Sequence, residues 1–279
     1  MIVDCHTRIW ESPDQMGRDS TGWLIRGGGQ PNLAAEPSDH AAAAREVTRT
    51  LVWGFRSRHL GADVPNAFLA DYAAQHRETV LAIASVDPLE ADALERLGHI
   101  AEREEFAGVT VSPAGQAFHP AHTRAMRVYE LCQVRGLPVL VEPGVDLSPR
   151  AVLEFARPCL LDEVARTFQS LTLVIGSMGR PWVEETLALL AKHPRVYADL
   201  AGLLRRPWDA YHALLAAHQR GLTEKLLFGS DFPFSTAASA IEQLYRLNEM
   251  THGTNLPAVP REALRGIVER DAVALLGMA

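Results

Sequence analysis

The chain has 279 residues, 47% of them apolar and 22% charged, and carries a formal net charge of −7. That length and apolar content suit one large folded domain and exclude a disordered chain. An acidic balance with no block of like charge offers no footprint for nucleic acid, and no apolar run approaches the roughly 18 residues a membrane span needs.

The chain opens on a strand, "MIVDCHTRIW". Simple alternation puts Asp4, His6 and Arg8 on one face and turns Cys5 toward the surrounding helices, so Cys5 is a poor nucleophile. The spacing D-x-H-x-R sets an arginine where a second imidazole would complete a two-histidine metal motif. Residues 11–39 are irregular, with "RGGGQPN" and three prolines, and are expected to form an insertion or lid in which Trp23 and Arg26 cover a bound ligand. The three glycines follow no phosphate-loop spacing. Apolar runs of strand length then recur at "TLVWG", "VLAIASV", "GVTV", "PVLVE", "LTLVIG", "RVYADL" and "KLLFGS". Helical stretches separate them, among them "DVPNAFLADYAAQH", "PAHTRAMRVYELCQVRG", "SPRAVLEFARPCLLDEVARTF", "RPWVEETLALLAKH" and "RPWDAYHALLAAHQRG". Pro149, Pro181 and Pro207 fall in expected first turns, Gly136 and Gly221 follow expected last turns, and a closing helix is expected over 260–276. Eight strand–helix units predict a single-domain (β/α)8 TIM barrel over residues 1–279. The three cysteines, Cys5, Cys132 and Cys159, include no C-x-x-C and suit a reducing cytoplasm rather than a disulfide framework.

In such a barrel the chemistry belongs at the C-terminal ends of the strands. Those ends read His6 and Arg8, Trp53, Asp87, Thr110 and Ser112, Glu142, Ser177, Asp199 and Asp231. The apolar eighth strand running straight into Asp231 is notable, because an acid there faces the barrel mouth. His119 and His122 follow the fourth strand, so either one could reach the mouth, while the other histidines, from His40 to His252, fall on helices or loops and are expected in solvent.

"LLFGSDFPF", "RPCLLDEVARTF", "GRPWVEETLALLAKHPRVYADLAG" and "LPAVPREALRGIVERDAVALLG" resemble the amidohydrolase-related family, the family-2 branch of the amidohydrolase superfamily. The resemblance runs from the first strand to the last helix and implies a barrel of the kind used by metal-dependent hydrolases and decarboxylases. It also implies a metal centre built on H-x-H, a histidine on each of the fifth and sixth strands, and an aspartate on the eighth. This sequence keeps His6 and Asp231 but has Arg8, Glu142 and Ser177 at the other three positions.

His6, Glu142 and Asp231 would still offer three donors to one divalent zinc, manganese or magnesium ion. Arg8, two residues from His6, would repel such an ion and would pair with Asp231 or Glu142 instead. No cofactor is therefore expected, the residual metal site being the alternative. The site residues expected are Asp231, His6 and Arg8 for catalysis, and Arg8, Glu142, Ser177, Trp53 and Phe232 for substrate. Asp231 would act as general base toward water with His6 sharing its proton, and Arg8 would hold a carboxylate or a developing oxyanion. The reading is a hydrolase of an activated ester or lactone bond in a small carboxylate-bearing substrate, in line with the metal-independent lactonases that the resemblance includes. Two alternatives stay open: an inactive small-acid-binding barrel, and a hydrolase or decarboxylase using the residual metal site. A homo-oligomer fits either outcome.

Overall fold

The computed structural model describes residues 1–17, 35–144 and 148–278. Trp23 and Arg26, expected to cover a ligand, lie outside the described residues.

Short runs rich in valine, isoleucine, leucine and alanine bury both faces and form a parallel sheet, as strands covered by helices must. The strands are β1 (Val3–Thr7), β2 (Arg49–Trp53), β3 (Val80–Ser85), β4 (Phe106–Val111), β5 (Val139–Val141), β6 (Leu173–Ile175), β7 (Val196–Asp199) and β8 (Leu226–Leu227). Each pairs with the next in chain order. The chain beyond β8 closes the ring onto β1. Cys5 N–H donates to Phe228 O at 2.8 Å, Arg8 N–H donates to Phe232 O at 3.0 Å, and Thr7 bridges Phe232 in parallel. The result is a single-domain (β/α)8 barrel.

Its interior is a cluster of Val3, Cys5, Leu51, Trp53, Ile83, Leu140, Val174 and Leu227, plugged at one end by Ala272, Val273 and Leu276. Alternate strand residues such as Val52, Ala82, Val109 and Leu173 pack outward into the main helix-facing core. Cys5 thus lies in the barrel interior, not against the helices as alternation with His6 predicts. Val3 is interior as well, so Cys5 keeps plain alternation with it; a register shift between Asp4 and Thr7, where three steps of β1 match two of β2 (Thr50 to Val52), brings His6 onto the same side, over Trp53. Such a bulge reverses the facing of the residues beyond it. Burial drives the Cys5 thiol well above its ordinary pKa, so it is no nucleophile.

Asp4 fastens the bulge. Its buried Oδ1 accepts from Ser230 N–H at 2.8 Å and from His6 N–H at 3.3 Å, binding the first strand to the chain after the last. Burial pushes this carboxyl up to about 6 from 3.8, against the hydrogen bonds from Ser230. Between about pH 4 and pH 6 the unfolded chain gives up this proton while the folded chain keeps it. The contribution of Asp4 to stability therefore falls across that window, by about 3 kcal/mol in total, and is constant above it. Asp4→Asn keeps an acceptor for Ser230 and removes the ionisation. Its melting temperature relative to the parent should accordingly rise between pH 4 and pH 6. A difference that stays flat across those pH values would show that Asp4 titrates normally.

Several helical expectations need correction. The stretch expected as one helix from Pro149 is two 3-10 turns, Leu153–Ala156 and Pro158–Leu161, leading into a short helix, Asp162–Thr167. Pro158 cannot continue a helix begun before it. The closing helix is two, Arg261–Val268 and Ala272–Leu276, because Asp271 caps the second by accepting from Ala274 N–H at 3.1 Å. Two further helices, Pro37–Ala43 and Ala237–Tyr245, add to the expected set. The signature "RPCLLDEVARTF" is structural. Arg157 pairs with Glu185, and Asp162 accepts from Lys192 at 2.6 Å and from His193 at 2.8 Å. Those contacts, Lys192 first, hold the Asp162 carboxyl well below the usual range.

Candidate active site

His6 stands at the mouth end of β1, where four neighbours fix its ring. Trp53 stacks on it face to face, centroids 3.8 Å apart and planes 11° apart. The indole is itself held by Nε1–H donating to Cys5 O at 2.7 Å. Gly176 and Gly229 leave room for the imidazole, since a Cβ on either would come within 3.3 Å of His6 Cε1 or 3.1 Å of His6 Cβ. Asp199, wholly buried at the end of β7, holds Nδ1 through Oδ2 at 2.9 Å.

Asp199 is in turn fixed by backbone. Its Oδ1 accepts from Ser177 N–H and from Ala201 N–H, each at 2.9 Å. Ser177 delivers its amide from a left-handed turn after β6 (φ +52°), so its contribution seen here is the main chain rather than the hydroxyl.

Arg8 closes the other side of the ring. Its Nη2 lies 3.3 Å from His6 Nε2, and the same nitrogen pairs with Oε2 of Glu142, which follows β5. That oxygen is 3.6 Å from His6 Nε2. Arg8 is 5% exposed and Glu142 8%. Burial pulls the Arg8 guanidinium down to about 10, opposed by the Asp231 and Asp199 carboxylates, so it keeps its charge at neutral pH. Among the described residues, Arg8 Nε is a buried donor with no hydrogen-bond partner.

Asp231 takes a different partner from the one expected. It occupies the left-handed region (φ +66°), which aspartate tolerates better than most residues. Its N–H donates to His6 O at 3.0 Å, and its Oδ2 accepts from Arg205 Nη2 at 2.7 Å. The Arg205 guanidinium also lies over the Phe234 ring at 5.4 Å. The mouth thus holds two guanidinium–carboxylate pairs, Arg8 with Glu142 and Arg205 with Asp231.

The structure brings His6, Arg8, Glu142, Ser177 and Asp231 to one end of the barrel. Trp53, expected to touch substrate, is 1% exposed and lies beneath His6 instead. Phe232 packs edge-on against His40 at 5.2 Å. Asp87 is spent on Arg58 N–H and Leu89 N–H, both at 3.0 Å. Ser112 accepts from Gly115 N–H at the head of a short helical turn. His119 and His122 cap local turns through Ala121 and Arg124 amides. Two histidines expected in solvent are not there: His193 binds Asp162, and His40 is buried between Tyr72 OH and Thr7 Oγ1, each at 2.9 Å. Burial pulls His40 down to about 4.

Sequence reasoning assigns no role to Asp199 or Arg205. For Asp199 the available signal is an apolar strand, "VYADL", ending in an acid. Arg205, in the loop "GLLRRP", carries no periodic signal at all. Among the described residues, no group of three or more His, Cys, Asp or Glu side chains is arranged to hold a metal ion. No helix among the described residues is long and apolar enough to cross a membrane.

Comparisons agree on the architecture. An uncharacterized TIM-barrel protein from Bordetella bronchiseptica superposes with TM-score 0.77 at 22% identity, covering 99% of this chain and 98% of that one. A probable 2-pyrone-4,6-dicarboxylic acid hydrolase from Acinetobacter baumannii, with citric acid bound, gives 0.68 at 17% identity over 99% of both chains. The 5-carboxyvanillate decarboxylase of Sphingomonas paucimobilis gives 0.69 at 11% identity, covering 100% of this chain and 99% of that one. No functionally curated protein matches the sequence. The amidohydrolase family model Amidohydro_2 matches residues 3–278, and with that match over nearly its whole length the chain belongs to the amidohydrolase-2 family.

Proposed function

We propose that this barrel hydrolyses an activated ester or lactone bond in a small carboxylate-bearing molecule, and that it does so without a divalent metal. The observation that carries the reading is the buried contact between His6 Nε2 and the Arg8 guanidinium, 3.3 Å apart. A base and an anion binder sit side by side there. The unpartnered Arg8 Nε–H supplies a further donor for a carboxylate or an oxyanion.

The donors do not fit a dication. His6 Nε2, the ring nitrogen not held by Asp199, faces a guanidinium; Glu142 is paired to that same cation; and Asp231 is paired to Arg205. A fixed positive charge within hydrogen-bond distance of the coordinating atom opposes a second one.

In this reading a substrate carboxylate draws Arg8 away from His6 and Glu142, which frees Nε2. Water gives a proton to Nε2 as its oxygen attacks the carbonyl carbon, and Arg8 stabilises the oxyanion. The acyl C–O bond then breaks and the leaving oxygen takes the proton back from Nε2, so the imidazole is regenerated. The pairing of Asp231 with Arg205 moves the base role from Asp231 to His6. One structural neighbour is named as a probable 2-pyrone-4,6-dicarboxylic acid hydrolase, which supports the substrate class. Three free cysteines, two of them buried, fit a cytoplasmic setting.

A second reading, an inactive small-acid-binding barrel, is favoured by how completely Arg8 closes on Glu142. One experiment separates them. Protein purified without chelator should contain well under one equivalent of zinc, manganese or iron, and should hydrolyse members of a panel of carboxylated lactones with no loss on adding chelator. Stabilisation by the panel without turnover favours the inactive binder. Stoichiometric metal, or activity lost to chelator, overturns the metal-free reading and favours a residual metal site.

A further inference from the structure

We infer that Asp199 is a positioning residue that keeps the proton of His6 on Nδ1 and so leaves Nε2 as the acceptor that faces the barrel mouth. The inference deepens the hydrolase reading and rests on it for its catalytic meaning, though not for its geometry.

Two independent contacts set the same tautomer. On one side, Asp199 Oδ2 is 2.9 Å from Nδ1, and Asp199 Oδ1 already accepts from two main-chain amides, Ser177 N–H and Ala201 N–H. The carboxylate is thus used as an acceptor at both oxygens, and the group it meets on His6 is an N–H. On the other side, Arg8 Nη2 can only donate, so the His6 Nε2 it meets at 3.3 Å has to accept. A neutral ring satisfies both contacts in one form only, with the proton on Nδ1. Asp199 cannot turn to offer anything else. It is fully buried, and the left-handed turn at Ser177 and the chain at Ala201 grip its far oxygen. Trp53 stacking removes the remaining freedom of the ring. A carboxylate holding the rear nitrogen while the front nitrogen faces the reaction is the logic of an oriented base.

Asp199→Asn gives the sharpest test because it changes the donor pattern and almost nothing of the shape. The two amides keep the asparagine carbonyl, which leaves its NH2 group facing Nδ1. Nδ1 must then accept, and the proton moves to Nε2, where it confronts the Arg8 donor.

The readout is the ring 15N resonances of His6, assigned by their loss in His6→Gln, in the parent and in Asp199→Asn. The parent should show a protonated Nδ1 and an unprotonated Nε2, and the variant should show the reverse. If Asp199→Asn does not fold, the parent spectrum alone decides. A parent ring protonated on Nε2, or on both nitrogens, overturns the inference, as does a folded Asn variant that keeps the parent pattern. With a hydrolysed substrate in hand, Asp199→Asn should lose about 100-fold or more in kcat with KM little changed. A parent carrying the expected tautomer but no lactone turnover would overturn the hydrolase reading and leave the positioning intact. Turnover with the wrong tautomer would do the opposite.

Discussion

Replacing Arg8 by alanine is expected to destabilise the fold by about 3–5 kcal/mol, a drop of about 10 °C in melting temperature for a domain of this size. The change would take from Glu142, 8% exposed, the guanidinium it pairs with, and would remove a cation that interacts with Asp231 and Asp199. Glu142, Asp199 and Asp231 would then face one another with one fewer cation among them. The control is the paired exchange Arg8→Met with Glu142→Leu, which removes both charges together. It should recover much of the loss, because the penalty comes from the orphaned partner rather than from the missing bond. Arg8→Lys should fall between the two, keeping charge but not the planar fork. Thermal denaturation of the four proteins decides it. A single Arg8→Ala variant as stable as the parent would place Arg8 on the rim as a bystander.

Substituting His6 by glutamine should reduce turnover of a carboxylated lactone by about 100- to 10,000-fold while leaving KM within a few-fold, because the base is lost and the anion binder is kept. Asp231→Asn should cost less, since Asp231 is held by Arg205 and meets His6 only through its main-chain N–H. Steady-state kinetics of both variants tests the assignment. If Asp231→Asn abolishes turnover and His6→Gln retains a tenth of it, the base is Asp231 after all. Glu142→Gln adds an informative third case. With its competitor neutralised, Arg8 should bind substrate carboxylate more tightly and KM should fall.

Much of this protein is legible in the sequence alone. Eight apolar runs of strand length, alternating with helical periodicity, determined the barrel, because parallel strands buried on both faces need continuous apolar residues and helical crossovers. The same runs determined which end carries the chemistry, through the polar residues that terminate them. His6, Arg8, Glu142 and Asp231 are all identifiable on that ground. Their convergence follows from topology, which brings every strand end to one mouth. Local geometry is less legible. One bulge between Asp4 and Thr7 brought His6 onto the same side as Cys5, and alternation cannot foresee a residue inserted into one strand but not its neighbour. Pro158 interrupts the stretch after Pro149, although its composition reads as helix.

Only the tertiary structure decided who pairs with whom. Arg8 had two candidate acids, Glu142 and Asp231, and sequence gives no distance between the ends of β5 and β8. The choice fell to Glu142 because Arg205, on a loop with no periodic pattern, already holds Asp231. Asp199 is visible as an acid at a strand end, but its role depends on two amides and a left-handed turn contributed by other segments. His40 escapes the sequence for a related reason. A histidine on a helix reads as solvated, yet its burial depends on Thr7 and Tyr72, residues 33 and 32 positions away. Composition and periodicity report what each segment buries. Ion pairs and proton positions are set by side chains that meet across the barrel, and that information exists only once the chain has closed on itself.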